Sequence, residues 1–559
     1  MKLHRHSLHV SKSEVTAKGG MCVAEHPLAA KAGAEILLEG GNAVDAAIAC
    51  AFAVGVVEPM MSGIGGGGAM LIHLAGQDRR IAIDFLPRAP RRASPEMYRL
   101  VSNEPAFNLF GWPAVENDEN VLGHRAVMIP GTVAGLCLAH ARHGRLPLSC
   151  IMEPAIRLAE EGYVVDWYIC TTIASLARRL REFPETARIF LPDGLPPASH
   201  VRTYLPTDPL RQPDLAETLR RIARNGPDEF YSGETGRLLI DDMAANGGLI
   251  DAEDLKGFQP IVSEALLHGS YRGIELATIP APTGAVTALE TLNILERFDL
   301  AGMGFGSPDA LHLMIEAQRL AFLDRFANLA SPEHADRQWR RLVDKEFAQQ
   351  RAQVIRFDRA APEAAGVDLP IGDAGCTTHL CTGDADGNLV SLTNTVGDLF
   401  GSFVTPPSTG VLLNNGMVWF NPEAGHLNSV AGGKRPLSNA TLFLGYREGR
   451  PCMALGAPGG RRVITSVLQS IAHHADFGMT LQEAVAAPRV HCEGPIAQVD
   501  DRLPAASLVE LEARGHELLR LEETYTTANF ARPVGIVRDR SGILHSGVDV
   551  LRPAAAYGF

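Results

Sequence analysis

Hydroxyl groups open and close one stretch of the chain, "TTHLCTGDADGNLVSLTNTV", residues 377–396. Thr377 and Thr378 begin it and Thr395 nearly ends it. The alternation of apolar and polar residues around an Asp/Gly/Asn turn at Asp384–Asn388 predicts a β-hairpin. A turn centred on Asp386 places Thr377 and Thr395 at equal distances from it, and so opposite each other in a regular register. Cross-strand neighbours hold their Cβ atoms roughly 4.5–5.5 Å apart. Such a pair can simply stabilise a sheet. It can also do chemistry if the bond between Cys376 and Thr377 is cut. Thr377 would then carry both a hydroxyl and a free α-amine, whose unperturbed pKa is about 7.7–8.0. The neutral amine can take the proton from the residue's own Oγ, so one threonine serves as nucleophile and base. Thr395 would hold that Oγ in place.

Acyl transfer also needs donors for the developing oxyanion. "GAPGGRRVIT" offers Gly459 and Gly460 at the start of a predicted helix near Arg461, where paired backbone N–H groups make an anion site. A plain proline–glycine turn explains the same residues. Other candidates are weaker. Gly63, Gly65 and Gly68 satisfy a GxGxxG spacing, but a helix precedes the run and a strand follows it, the reverse of a dinucleotide fingerprint. Close backbone packing is the plain reading of these glycines, and lining an active-site floor the other. There is no HExxH or GxSxG, and His379 reads as a packed strand histidine. No metal or cofactor is expected.

The elements that must position these groups follow from periodicity. "MCVAEH" is a short strand, and Pro27–Glu39 has helical spacing with Pro27 suited to the first helical position. "GGNAVDAAIACAFAVGVVEP" predicts a second helix, capped by Asn42 and apolar on nearly all sides. "SGIGGGGAMLIHL" and "RIAIDFLPRAP" predict strands, and "IPGTVAGLCLAHARHG" a helix. From about 150 to 355 the pattern is mostly helical. Residues 358–376 lack periodicity and predict an exposed segment that tolerates cutting. Beyond it the chain turns strand-rich, with "GVLLNN", "LSNATLFLGY", "PCMALGA" and "RPVGIVRDRSGILHSGV" as strands and "RVITSVLQSIAHHAD" as a helix.

With 559 residues, 46% of them hydrophobic, the chain has ample core, and length alone suggests about three or four domains. A net charge of −13 argues against nucleic-acid binding and anionic membrane surfaces. Nine scattered cysteines without a CxxC pair predict buried thiols in a reducing compartment. No signal-peptide or membrane-spanning run is visible, so a cytoplasmic location is expected.

At these motifs the chain resembles the γ-glutamyltransferase family of N-terminal nucleophile hydrolases. "GGNAVDAAIA", "GIGGGGAML", "PGTVAGL", the hairpin, "GVLLNN" and "GAPGGRRVITSVLQ" match in order over nearly the whole length. The resemblance implies a four-layer αββα sandwich of the α/β class, made as one precursor that cuts itself before Thr377. It implies a large subunit, 1–376, and a small subunit, 377–559, which could pair again as a dimer of heterodimers. Thr377 would be the nucleophile, Thr395 its hydroxyl partner, and Gly459 and Gly460 the oxyanion hole. Ser438 in "RPLSNAT" matches a substrate-contacting serine, and Asn439 stands where a second serine is usual.

The amino-acid reader of the family is largely missing. Leu86 occupies the place of the arginine that binds the α-carboxylate, with Arg88 two positions on. Gly397, Gly416 and Trp419 replace the groups that bind the α-amine. "NNGMVWFNP" looks like the branch containing class IV cephalosporin acylases. The expected activity is therefore a self-processing amidohydrolase or acyltransferase acting on γ-glutamyl- or glutaryl-type amides. Arg88 and Trp419 would contact the substrate. Alternatives are a genuine γ-glutamyltransferase or glutathione hydrolase, another small-amide hydrolase, and a non-catalytic binding protein on the same fold.

Overall fold

The computed structural model describes residues 10–106, 110–199, 209–280, 283–331, 338–361, 376–527 and 529–559. Two seven-stranded sheets form its centre. In the first, the strands follow the order Thr16–Ala17, Leu544–Gly547, Val534–Arg538, Arg450–Gly456, Leu442–Arg447, Ile274–Thr278, Leu267–Tyr271. In the second the order is Ala555–Gly558, Gly20–Ala24, Cys376–Asp384, Leu389–Gly397, Gly67–Leu74, Arg79–Phe85, Ile261–Ser263. Their inner faces pack together through Met21, Leu71, Cys381 and Leu389 on one side and Leu444, Ala454, Ile536 and Leu544 on the other.

Helices cover both outer faces. The second sheet packs on Pro27–Leu38 and Ala43–Val57, the first on Gly284–Leu295, Pro308–Asn328 and Arg462–Phe477. The layers are therefore α, β, β, α. With both faces of each sheet covered, the central strands are buried on both sides, as every residue of Gly67–Leu74 and Leu389–Gly397 shows. The helix Ala43–Val57 shows the local logic. Asn42 Oδ1 accepts from the backbone N–H groups of Val44 and Asp45, and the Asp45 carboxylate accepts from Asn42 N–H. Such a cap is worth about 1 kcal/mol. All its residues except Gly55 are buried, as an all-round apolar pattern requires.

Four expectations are corrected. The chain is not a row of domains: the first and last residues share sheets, with Gly20–Ala24 lying between Cys376–Asp384 and Ala555–Gly558. The stretch from about 150 to 355 is not helix alone, since it supplies the strands Ile261–Ser263, Leu267–Tyr271 and Ile274–Thr278. "GVLLNN" is not a strand; Leu413 makes only an isolated bridge to Gly65. Cys150 is exposed rather than buried. Most of the segment read as a cuttable tether lies outside the described residues. No helix among those described is long and apolar enough to cross a membrane.

Candidate active site

The hairpin forms with the predicted register: Thr378 faces Asn394, His379 faces Thr393, and Cys381 faces Ser391. The ladder shifts between Cys376 and Thr378, where Cys376 pairs with Gly397. This irregularity frees Thr377 from the regular ladder. Of the residues in these two strands, Thr377 alone is not fully buried. Its hydroxyl lies 3.2 Å from Thr395 Oγ and 2.5 Å from the Cys376 carbonyl oxygen. Thr395 donates to the same carbonyl at 2.7 Å and accepts from Gly397 N–H at 3.0 Å. The carbonyl before Thr377 is thus held between two hydroxyls.

Close backbone packing keeps the hairpin in place. A Cβ on Gly68 would stand 1.9 Å from the Thr393 carbonyl oxygen, and one on Gly66 2.2 Å from that of Thr395. The glycine run is the surface on which the strand Leu389–Gly397 rests. His379 lies between the sheets, bonded to Thr393 Oγ at 2.8 Å and against Gly456, where a Cβ would strike its ring. Burial lowers its pKa to about 3, so it stays neutral. It packs.

The glycine pair comes from the other sheet. Gly459 and Gly460 follow the central strand Arg450–Gly456, with φ of +130° and +60° that L side chains rarely adopt. Arg461 is the N-cap of helix Arg462–Phe477. It is clamped by Glu493 through Nε at 2.6 Å and Nη2 at 3.0 Å, and Nη1 donates to Phe110 O. Burial works against the Glu493 charge, but Arg461 and His491 hold its carboxyl well below the usual range.

A cleft gathers Thr377, Thr395, Gly460, Ser438, Asn439, Trp419, Leu86 and Gly397. Gly459 lines a neighbouring cavity that also touches Cys376. Arg88 is not brought to either: it bridges to Ile129, donates to Gln259 O at 3.3 Å and lies over the Phe258 ring. Gly416 is packed against Met128 instead of facing the cavity. Leu86 is seated by its N–H on Asp84 Oδ1. Sequence reasoning missed Thr393 and Phe110, which line the same cavity. It also missed Arg325, whose Nη2 donates to Ser438 O at 2.9 Å and Asn439 Oδ1 at 2.8 Å. Burial and the nearby Arg461 lower the pKa of this arginine to about 9. An arginine inside the apolar run "AFLDRFA" is the signal that could have found it.

A threonine hydroxyl poised on its own preceding carbonyl, a second hydroxyl on that oxygen, and a glycine turn across the cleft make an arrangement for acyl transfer. Known proteins resemble this chain over nearly its whole length. Residues 29–559 match the family model of the γ-glutamyltranspeptidases. The acylase ACY 1 proenzyme of Pseudomonas sp. (strain SE83) is 43% identical over 511 residues, covering 91% of this chain and 89% of that protein. The glutathione hydrolase proenzyme of Escherichia coli (strain K12) is 34% identical over 529 residues, covering 92% and 88%. The crystal structure of a cephalosporin acylase from Bacillus halodurans superposes with a TM-score of 0.87 at 28% identity, over 100% of this chain and 99% of that one. By fold, motif order and overall similarity, the chain belongs to the γ-glutamyltranspeptidase family.

Proposed function

We propose that the protein is a self-cleaving threonine amidohydrolase or acyltransferase that cuts itself between Cys376 and Thr377. The observation that carries this reading is the Cys376 carbonyl held by the hydroxyls of Thr377 and Thr395. In processing, Thr377 Oγ bonds to the Cys376 carbonyl carbon and the C–N bond breaks. The Oγ proton passes to the departing amine, and water then hydrolyses the ester. The products are chains 1–376 and 377–559. In turnover the new α-amine takes the proton of Oγ, which attacks the substrate carbonyl. Gly459 and Gly460 N–H groups receive the oxyanion. The leaving amine departs with that proton, and water or an acceptor amine releases the acyl group.

The acyl pocket favours chains without a charged amine. Leu86, Trp419 and Gly397 line it, and none offers a charge, whereas burying an unpaired charge costs several kcal/mol. The relatives include an acylase and a glutathione hydrolase, and this lining supports glutaryl-type amides, which bring one charge, over γ-glutamyl amides, which bring two. Ser438 and Asn439 supply the polar contacts at its wall. Two measurements test the reading. Thr377→Ala should remain one inactive chain, while the wild-type small chain begins at Thr377 by N-terminal sequencing. On matched chromogenic amides, kcat/KM for glutaryl should equal or exceed that for γ-glutamyl. A tenfold or greater preference for γ-glutamyl, about 1.4 kcal/mol, overturns the pocket assignment.

A further inference from the structure

The strand Cys376–Asp384 has two ends, and the chemistry assigned above uses only one. At about 3.3–3.4 Å per residue, the turn that follows Asp384 lies more than about 20 Å from Thr377. There a cleft opens between the two sheets. Ala75 and Gly387 line it from turns of one sheet, and residues 447–453 and 537–542 from two hairpins of the other. Its floor is apolar, with Ile274, Met453 and Val537, while its rim carries Arg447, Arg450, Arg538 and Arg540. The chain as a whole has a net charge of −13, so this rim stands apart from the surface around it.

Local geometry forces two of these arginines together. Glu448 and Gly449 form a two-residue turn with φ of +54° and +74°, and Arg447 pairs directly with Arg450 across it. Residues so paired hold their Cβ atoms about 4.5–5.5 Å apart, and like charges there destabilise the hairpin. Arg538 stands at the opposite wall, where Nη1 donates a long 3.4 Å bond to Asp384 O. A Cβ on Gly387 would lie 3.4 Å from the same nitrogen. Among the described residues, Arg447, Arg450 and Arg538 form no ion pair. The acids nearby are taken. Glu448 pairs with Arg540 at 3.1 Å, and Asp386 with Arg145 at 2.8 Å. Asp539 accepts from Ser541 N–H, Ser541 Oγ and Ile543 N–H and faces His545 at 3.4 Å. Burial raises the Cys452 thiol to about 11, so it offers no countercharge.

We propose that this cleft binds a compact oxyanion of the polyphosphate class, clamped by Arg447 and Arg450 and joined by Arg538 to the turn of the other sheet. Guanidinium forks take such oxygens bidentately, which turns an unfavourable opposed pair into a clamp. The site is separate from the acyl cleft and does not rest on the reading of Thr377.

Isothermal titration of the full chain with sodium tripolyphosphate, at low ionic strength to limit screening, tests the site. Wild type should bind a single equivalent. The double variant Arg447→Gln/Arg450→Gln should weaken Kd by about tenfold or more, as the loss of charge-assisted hydrogen bonds implies. A control, Arg142→Gln/Arg297→Gln, removes two exposed arginines elsewhere and the same net charge. It should bind within about twofold of wild type, which separates the cleft from the field of the whole protein. Without ligand, the cleft variant should melt no lower than wild type, because an opposed like-charge pair is relieved. Absence of binding by wild type, or equal weakening in the two double variants, overturns the assignment. A lower melting temperature of the cleft variant overturns it as well, since the two arginines would then already be satisfied within the protein.

Discussion

Replacing Thr395 by valine removes a hydroxyl without changing shape, so packing is preserved while three contacts vanish. The first is the 2.7 Å bond to the Cys376 carbonyl, the second the 3.0 Å bond from Gly397 N–H, and the third the 3.2 Å contact with Thr377 Oγ. Gly397 N–H is buried, and leaving it unpaired costs about 1–3 kcal/mol of stability. The carbonyl contact acts on the barrier instead. Negative charge grows on the Cys376 oxygen as Thr377 attacks, and loss of one oxyanion donor costs about 2.7–4 kcal/mol, or about 10²–10³ in rate. Processing should therefore slow far more than stability falls. Freshly translated Thr395→Val and wild-type precursors, chased over time on a denaturing gel, give the rates directly, and thermal melts give the stability. Thr395→Ser keeps the hydroxyl and should process within about tenfold of wild type. Processing of Thr395→Val within about threefold of wild type would refute the role assigned to that hydroxyl.

Two further outcomes are expected. Glu493→Gln breaks the buried clamp on Arg461 beside the glycine turn, so stability at pH 7 should fall by up to about 3–5 kcal/mol. Because the folded Glu493 pKa is depressed, its contribution is present above the unfolded value of about 4.3 and lost as pH falls below it. Melts between pH 7 and 3 should thus be flatter in the variant, and equal slopes would contradict the pairing. Gly68→Ala forces a Cβ onto the Thr393 carbonyl and should cost about 1–3 kcal/mol or more and abolish processing. Gly76→Ala, with nothing within 4 Å, should be neutral, and similar behaviour of the two would sink the packing argument.

Local chemistry was legible along the chain. The hairpin register followed from alternation and a single turn, because a two-residue period leaves no choice of face once the turn is set. Asn42 as a cap, the buried helix after it and the helix behind Gly459–Gly460 followed from equally short-range signals. Thr377 and Thr395 could be paired on those grounds alone. The strands Leu267–Tyr271 and Ile274–Thr278 were not legible, since they are short and end in the polar turn around Arg272 and Gly273. "GVLLNN" misled for the opposite reason: its apolar residues are buried as a loop lying along the Gly65 backbone, not as a strand.

What the sequence by itself determined was that Thr377 and Thr395 meet on one hairpin, within a span that local periodicity governs. The tertiary structure alone decided what faces them. Leu86, Trp419, Ser438 and Gly460 come from separate elements and meet only where the ends of two packed sheets coincide. It also turned Arg88 away, brought Arg325 behind the Ser438–Asn439 wall, and opened a second cavity beside Arg552. Each outcome depends on how two sheets stack, and no short-range pattern encodes that stacking, because sheet packing is set by the summed burial of residues far apart in the chain.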